Sequence, residues 1–393
     1  MHQLLIHNAR LLGVPNVQTG WVLTEGELIH DLGGDDPPES VVQRVAPENR
    51  INAEGLILAP GLIDVHVHGA RGCDTMDATP ESLLTMARFF AQQGVTSFFP
   101  TTLTRPHDHL MRALRTVQSV MNQPTGGARI RGAHLEGPYL NAKLIGAQNP
   151  AYVRRADQRS ETRELLDLGV IQRITIAPEF PENHAFIQEA AGLGIAVSAG
   201  HTEATPDDLK TAIDLGLRHT THTFNAMAGL HHRTPGTVGA AMAFDELTCE
   251  LIPDGVHVHP VAMRALYNAK GISRLILITD AMAGTGMPDG AYQLGGLDVT
   301  VAERKATLAN TTTLAGSILT FAEGIRNFLP VIQQDLTGVW WLMTSRNAAK
   351  AHPNCQNMGQ IAVGKAADLI LIDLAGTIQR TMVAGEIVYS ATQ

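Results

Sequence analysis

Residues 62–69 read LIDVHVHG. Leu, Ile and Val suit a buried strand, yet Asp64, His66 and His68 interrupt the run. Side chains two apart on a strand share a face, so the imidazoles of His66 and His68 point together, roughly 7 Å apart at their Cα atoms. Two neutral imidazoles on one rigid face can grip a divalent transition metal such as zinc or iron. Two core histidines bonded to backbone would explain an isolated H-x-H equally well, so the rest of the chain has to decide.

Seven further apolar runs resemble this one. They are VTSFFPTTL (95–103), IRGAHLE (130–136), RITIAPE (173–179), AVSAGHT (196–202), HTTHTF (219–224), LTCELIPD (247–254) and RLILITD (274–280). Amphipathic helical patterns lie between several of them, such as PESLLTMARFFAQQG and NHAFIQEAAGLG. Gly94, Gly169, Gly194, Gly216 and Gly271 stand where helices should close. Alternating strand and helix over some 300 residues implies parallel strands with helical crossovers. Eight repeats predict an α/β fold, a (β/α)8 barrel of the TIM type. The rival is a doubly wound open sheet. The early strands lack a following G-x-G-x-x-G, so a dinucleotide site has no support. Short strands and turns fill both ends: LLIHNARLL and WVLTEGELIHDLG first, AADLILIDL and TMVAGEIVYS last. They predict one small β domain from residues 1–57 and 357–393 around a barrel of residues 58–356. AYQLGGLDVTVAERKATL (291–308) is the one clear hairpin stretch between the ends.

Polar residues mark the C-terminal ends of these runs. His66 and His68 end the first strand, Glu136 the third, Glu179 the fourth and His201 the fifth. His222 lies on the sixth, with Asn225 just after; Asp254 ends the seventh, with His257 close behind, and Asp280 ends the eighth. In a barrel these tips converge on one rim, where active sites sit. Three His/Glu ligands with an open position suit a catalytic metal. His66 and His68 add ligands for a second ion, and Glu136 is the carboxylate available to bridge two. Asp280 reads best as a proton-transfer group beside a metal-activated water.

Composition narrows the classes. A net charge of −9 disfavours a nucleic-acid or anionic-membrane surface. Three scattered cysteines, Cys73, Cys249 and Cys355, support neither a disulfide framework nor a Cys-rich metal site. No apolar run reaches the length of a membrane span, and MHQLLIHNAR lacks a signal-peptide pattern, so the expected compartment is the reducing cytoplasm. The 17 histidines, against 29 Lys and Arg, invite a metal search.

Taken in order, PGLIDVHVHG, AHLEGPYLN, APE, SAGHTEA, THTFNAM, DGVHV, ITDAMAGTG and LAGS resemble the N-acetylglucosamine-6-phosphate deacetylases of the amidohydrolase superfamily. The motifs span residues 59–320, and GQIAVGKAADLILID extends the likeness to about residue 373. The resemblance implies removal of acetate from an N-acetylated hexosamine 6-phosphate. It implies Glu136, His201 and His222 as the main metal ligands, His66 and His68 as a second-metal pair, and one or two divalent ions, zinc or iron. Asp280 matches the catalytic acid/base. Ala147, Gln148, Asn225, Ala226, Arg233, His257 and Leu314, Ala315 and Gly316 match substrate contacts, with Arg233 and His257 toward the phosphate. Gln148 stands where members commonly have His, and Ala348 where a Pro is usual. The resemblance also implies a homodimer whose partner helps complete the pocket. The galactosamine epimer, another amidohydrolase substrate and a catalytically silent barrel are the alternatives. His107, His109, His219 and His259 are read as structural, Met227, Trp340 and Trp341 as packing, and Asp64, Glu179, His231 and His232 are left open.

Overall fold

In the computed structural model, which describes residues 2–121 and 123–391, the eight runs become eight strands. They are β1 Leu62–Val67, β2 Val95–Pro100, β3 Ala133–Glu136, β4 Ile171–Ile176, β5 Ala196–Ala199, β6 His219–Thr220, β7 Thr248–Leu251 and β8 Leu275–Leu277. β3 to β8 pair in sequence order, all parallel, and β1 pairs parallel with β2. Two parallel bridges close the ring. Thr101–His134 joins the end of β2 to β3, and Val67–Ala281 joins β1 to the end of β8. Asp280 N donates to His66 O at 3.0 Å and His68 N to Ala281 O at 2.8 Å across that last seam. The first and last strands are thus neighbours, which an open doubly wound sheet cannot provide. The fold is a TIM-type barrel with a small β domain, as the alternation predicts.

The crossovers form where the apolar spacing demands a buried helical stripe. Pro80–Gln92 opens on Thr79, whose side chain accepts from Ser82 N, and places Pro80 where its missing N–H costs nothing. It buries Leu83, Met86, Ala87 and Phe90, three or four apart, against the barrel. Gly94, Gly169, Gly194, Gly216 and Gly271 all adopt positive φ, so the residues read as helix stops do that work. After β8 the chain makes a three-stranded antiparallel sheet, Gly290–Leu294, Leu297–Ala302 and Lys305–Leu308, before the helix Phe321–Val331.

Both chain ends enter one eight-stranded sheet. Ile57–Pro60 pairs parallel with Gln3–Leu11 on one side and antiparallel with Leu369–Ile372 on the other. Thr19–Glu25 and Leu28–Gly34 continue the first edge, and Ile378–Val383 and Glu386–Ser390 the second. The turns fall at Gly26 and Gly385, both at positive φ. Thr381 Oγ1 donates to Ala91 O at 2.6 Å, fixing this sheet against the end of Pro80–Gln92. Among the described residues no helix is long and apolar enough to cross a membrane.

Candidate active site

The strand tips converge as alternation and closure require. His201 and His222 follow β5 and β6, and Asp280 lies just past β8; all three take positive φ, at 49°, 31° and 52°. Left-handed backbone at non-glycine residues costs of order 1–3 kcal/mol and persists where surroundings impose it. Here it turns three polar side chains inward over the barrel mouth.

Two groups of three donors result: His66, His68 and Asp280, and Glu136, His201 and His222. Within each group one ligand atom per residue lies within 4.8 Å of the others, and all six residues are buried. Glu136 faces both. Its Oε1 is 3.2 Å from His201 Nε2 and from His222 Nε2, and its Oε2 is 3.2 Å from His68 Nε2. Asp280 Oδ1 lies 3.2 Å from His68 Nε2 and 3.4 Å from His66 Nε2.

The outer ring nitrogens of three of the four histidines are committed elsewhere, while that of His222 has no partner. His68 Nδ1 bonds Thr101 O at 3.2 Å, His201 Nδ1 bonds Leu144 O at 2.9 Å, and His66 Nδ1 faces Glu250 Oε2 at 3.3 Å. A proton placed on Nδ1 leaves a lone pair on Nε2, aimed at the shared centre. The Nε2 atoms of His201 and His222 approach to 3.2 Å, and the buried Nε2 of His66 has no hydrogen-bond partner. Converging lone pairs and carboxylates repel unless positive charge lies between them. The residues present therefore fit one or two divalent transition-metal ions.

The acid–base balance gives the same reading. Burial would raise Glu136, but His66 and the hydrogen bonds of His201 and His222 hold it well below the usual carboxylate range. Burial likewise opposes ionisation of Asp280, yet His66 and His68 bring it down to about 2. Burial lowers His68, and Asp280 and Glu136 outweigh it to lift the group to about 9. The two carboxylates are held as anions by positive charge on the neighbouring histidines, a place that a bound divalent ion would take over.

A cavity of about 340 Å³ opens above this centre. His68, Glu136, His201, His222 and Asp280 line its floor. Ala147, Gln148, Asn225, Ala226, His257, Leu314 and Gly316 line its walls. Gln148 Oε1 accepts from Thr104 N at 2.7 Å, which fixes the amide so that Nε2 donates to Glu136 Oε2 at 2.8 Å. One N–H of Gln148 is thus already engaged by the carboxylate. His257 Nδ1 bonds Asp254 Oδ2 at 2.6 Å. Burial opposes its charge, but that bond and the charge of Asp254 raise its pKa above the ordinary imidazole value. Two expected contacts are not among the lining. Ala315 is fully buried between two residues that are, and Arg233 is exposed, its Nη1 3.0 Å from His232 Nε2.

The residues left open in the sequence find places. Asp64 Oδ2 accepts from Thr279 Oγ1 at 2.6 Å and so ties β1 to the end of β8. Glu179 is engaged by Asn141, Thr202 and the Glu203 N–H, fastening the loops after β3 and β5. His231 and His232 are exposed, their ring centroids 4.3 Å apart. Three residues escaped the sequence reading. Lys143 lines the cavity, paired with Glu203 at 3.0 Å. Arg173 and Glu250 form a fully buried pair at 2.6 Å beneath the floor. Their signal was a charge inside each of the apolar runs RITIA and TCELI.

Comparison with known proteins agrees. The model of the amidohydrolase family matches residues 57–388. The N-acetylglucosamine-6-phosphate deacetylase of Bacillus subtilis (strain 168) is 37% identical over 383 residues, covering 94% of this chain and 95% of its own. The N-acetylgalactosamine-6-phosphate deacetylase of Escherichia coli O157:H7 is 34% identical over 339 residues, 84% of this chain and 87% of its own. A mutant of the Mycobacterium smegmatis N-acetyl-D-glucosamine-6-phosphate deacetylase, solved with N-acetyl-D-glucosamine-6-phosphate, superposes with a TM-score of 0.89 at 31% identity, over 99% of this chain and all of its own. With this barrel, these convergent donors and these relatives, the chain belongs to the amidohydrolase family.

Proposed function

We propose that this protein hydrolyses the N-acetyl group of N-acetylglucosamine 6-phosphate, giving glucosamine 6-phosphate and acetate, in a metal-dependent reaction. The observation that carries the reading is the shared Glu136, between two donor groups of which Asp280 is a member, on the floor of a cavity whose wall bears His257 paired with Asp254. Glu136, His201 and His222 would hold one ion, and His66 and His68, with Asp280 beside them, a second; zinc or iron suits these nitrogen and oxygen donors. A bound ion supplies two things: it polarises the acetamide carbonyl and lowers the pKa of water toward neutrality.

The chain's own residues do the rest. Asp280, an anion at neutral pH, accepts the proton of the attacking water and passes it to the departing nitrogen. An amine leaves poorly until protonated, so the one carboxylate serves as base and then as acid. Gln148 lines the cavity, and its remaining N–H would steady the carbonyl oxygen as charge grows on it. Asn225, Ala226 and Leu314 to Gly316 orient the sugar. His257 and Arg233 receive the phosphate. Arg233 stands outside its own cavity, consistent with a homodimer in which the pocket is completed across subunits. A cytoplasmic setting suits the reduced cysteines and the phosphorylated substrate. The division into residues 1–57 with 357–393 and residues 58–356 remains our reading of the domains; residues 1, 122, 392 and 393 of it lie outside the described structure.

The Escherichia coli relative keeps the galactosamine epimer as the second reading. One experiment separates them: acetate release from both 6-phosphorylated epimers, after chelation and after refilling with zinc, iron or manganese. A rate that survives complete chelation, or no turnover of the gluco epimer by the metal-loaded protein, would refute the proposal.

A further inference from the structure

Glu250 and Arg173 call for a role that the mechanism above leaves unfilled. Both are fully buried, Arg173 on β4 and Glu250 on β7. Glu250 Oε1 lies 2.6 Å from Arg173 Nη2. Nε and Nη1 of Arg173 have no hydrogen-bond partner, and Nη2 reaches only Ser198 Oγ besides, at 3.4 Å. A buried ion pair is a poor device for stability, since apolar residues of similar volume often serve as well or better. One with unsatisfied guanidinium donors is poorer still.

The other carboxylate oxygen explains why the pair is there. Glu250 Oε2 accepts from His66 Nδ1 at 3.3 Å and from the backbone N–H of His222 at 3.1 Å. The first contact selects the tautomer of His66 that leaves Nε2 bare toward the metal centre. The second holds the strained backbone of His222, a residue of the other donor group. His68 and His201 obtain the same orientation from backbone carbonyls; His66 alone among these three relies on a side chain. Arg173 neutralises Glu250, so the centre gains an acceptor without a further net negative charge.

We propose that Glu250, backed by Arg173, is a positioning residue that commits His66 to metal binding, and that the ion at His66 and His68 depends on it. The proposal rests on the metal-dependent reading above and adds to it. It makes the second ion contingent on a carboxylate that touches neither substrate nor metal.

The test compares two variants of the full chain with the same charge and different acceptors. In Arg173→Met/Glu250→Leu both charges go and so does the acceptor. In Arg173→Met/Glu250→Gln both charges go, but the amide oxygen can still face His66 Nδ1 and His222 N. Metal-stripped protein is titrated with zinc by calorimetry, with metal analysis of the loaded protein. Wild type is expected to take two equivalents. The Leu variant should keep the tighter one and bind the other roughly 10- to 100-fold more weakly. The Gln variant should hold both, close to wild type. The idea is overturned if the Leu variant binds both ions like wild type, if the Gln variant loses the second ion as fully as the Leu variant, or if wild type takes only one. Should the apolar pair fail to fold, Glu250→Asp alone keeps both charges but draws the carboxylate back by a methylene, and must weaken the second ion likewise. Wild type that binds no zinc at all would instead defeat the metal-dependent reading itself, and acetate release by the same preparation registers that separately.

Discussion

Replacing Asp280 by Asn changes one atom and removes the proton acceptor. The carboxylate is held at about 2 by His66 and His68 against the cost of burial. At pH 7 it is then an anion. The proton Asp280 delivers to the leaving nitrogen therefore cannot be one stored beforehand; it has to come from the attacking water in the same turnover. An amide can neither take nor give it. General acid–base catalysis contributes about 10²- to 10⁴-fold, and a residue serving in both directions belongs at the upper end, about 5 kcal/mol of barrier. Asp280→Asn should lower kcat by about 10⁴ and change KM little. Glu136, His201 and His222 form their donor group without Asp280, so at least that ion should stay. The assay is acetate release at saturating substrate from pH 5 to 9, with metal content measured on the same preparation. A variant that retains its metal and works within tenfold of wild type would show that the proton travels by another route.

Three other outcomes follow from the same geometry. Glu136→Gln, nearly isosteric, removes the anion that faces both donor groups, and metal content and activity should both fall to background; a variant that keeps its ions would show that the histidines suffice. Arg233→Ala should raise KM for the 6-phosphorylated sugar roughly 10- to 100-fold, the worth of a charged hydrogen bond, and leave an unphosphorylated analogue unaffected; equal effects on both would remove Arg233 from the phosphate pocket. Acid stability should fall for a reason remote from catalysis. Burial, aided by the charge of Arg173, holds His352 down to about 3 and His219 well below its ordinary value. Between pH 6.5 and 5 the unfolded chain gains protons that the folded chain refuses, so stability falls as pH falls, by about 2 kcal/mol for His352 and further in the same direction for His219. Denaturant melts at those two pH values, with His352→Asn alongside wild type, check this; an unchanged slope in the variant would mean that His352 is not held neutral.

Much of this molecule is legible in one dimension. Strand alternation placed His66 and His68 on a common face, and the helix-closing glycines turned out to sit in the backbone region that only glycine enters freely. Gln148, noted as a departure from the usual His, was visible as an amide; its bond to Glu136 was not, because that depends on Thr104 N fixing which way the amide points. Arg233 was assigned by motif to the phosphate, and its distance from its own cavity could not be read from neighbours in sequence.

The sequence by itself determined the eight-fold alternation, the polar strand tips and the chemical kinds of ligand, because these rest on periods of 2 and 3.6 residues and on side-chain chemistry, all local properties. Only the tertiary structure decided which of those tips come together as donor groups and what stands behind them. His66 and Glu250 are 184 positions apart and meet because the barrel closes. A charge inside an apolar run looks the same in sequence whether its partner lies in the same strand or across the barrel. Ring closure sets that distance, and it is a property of all eight strands together.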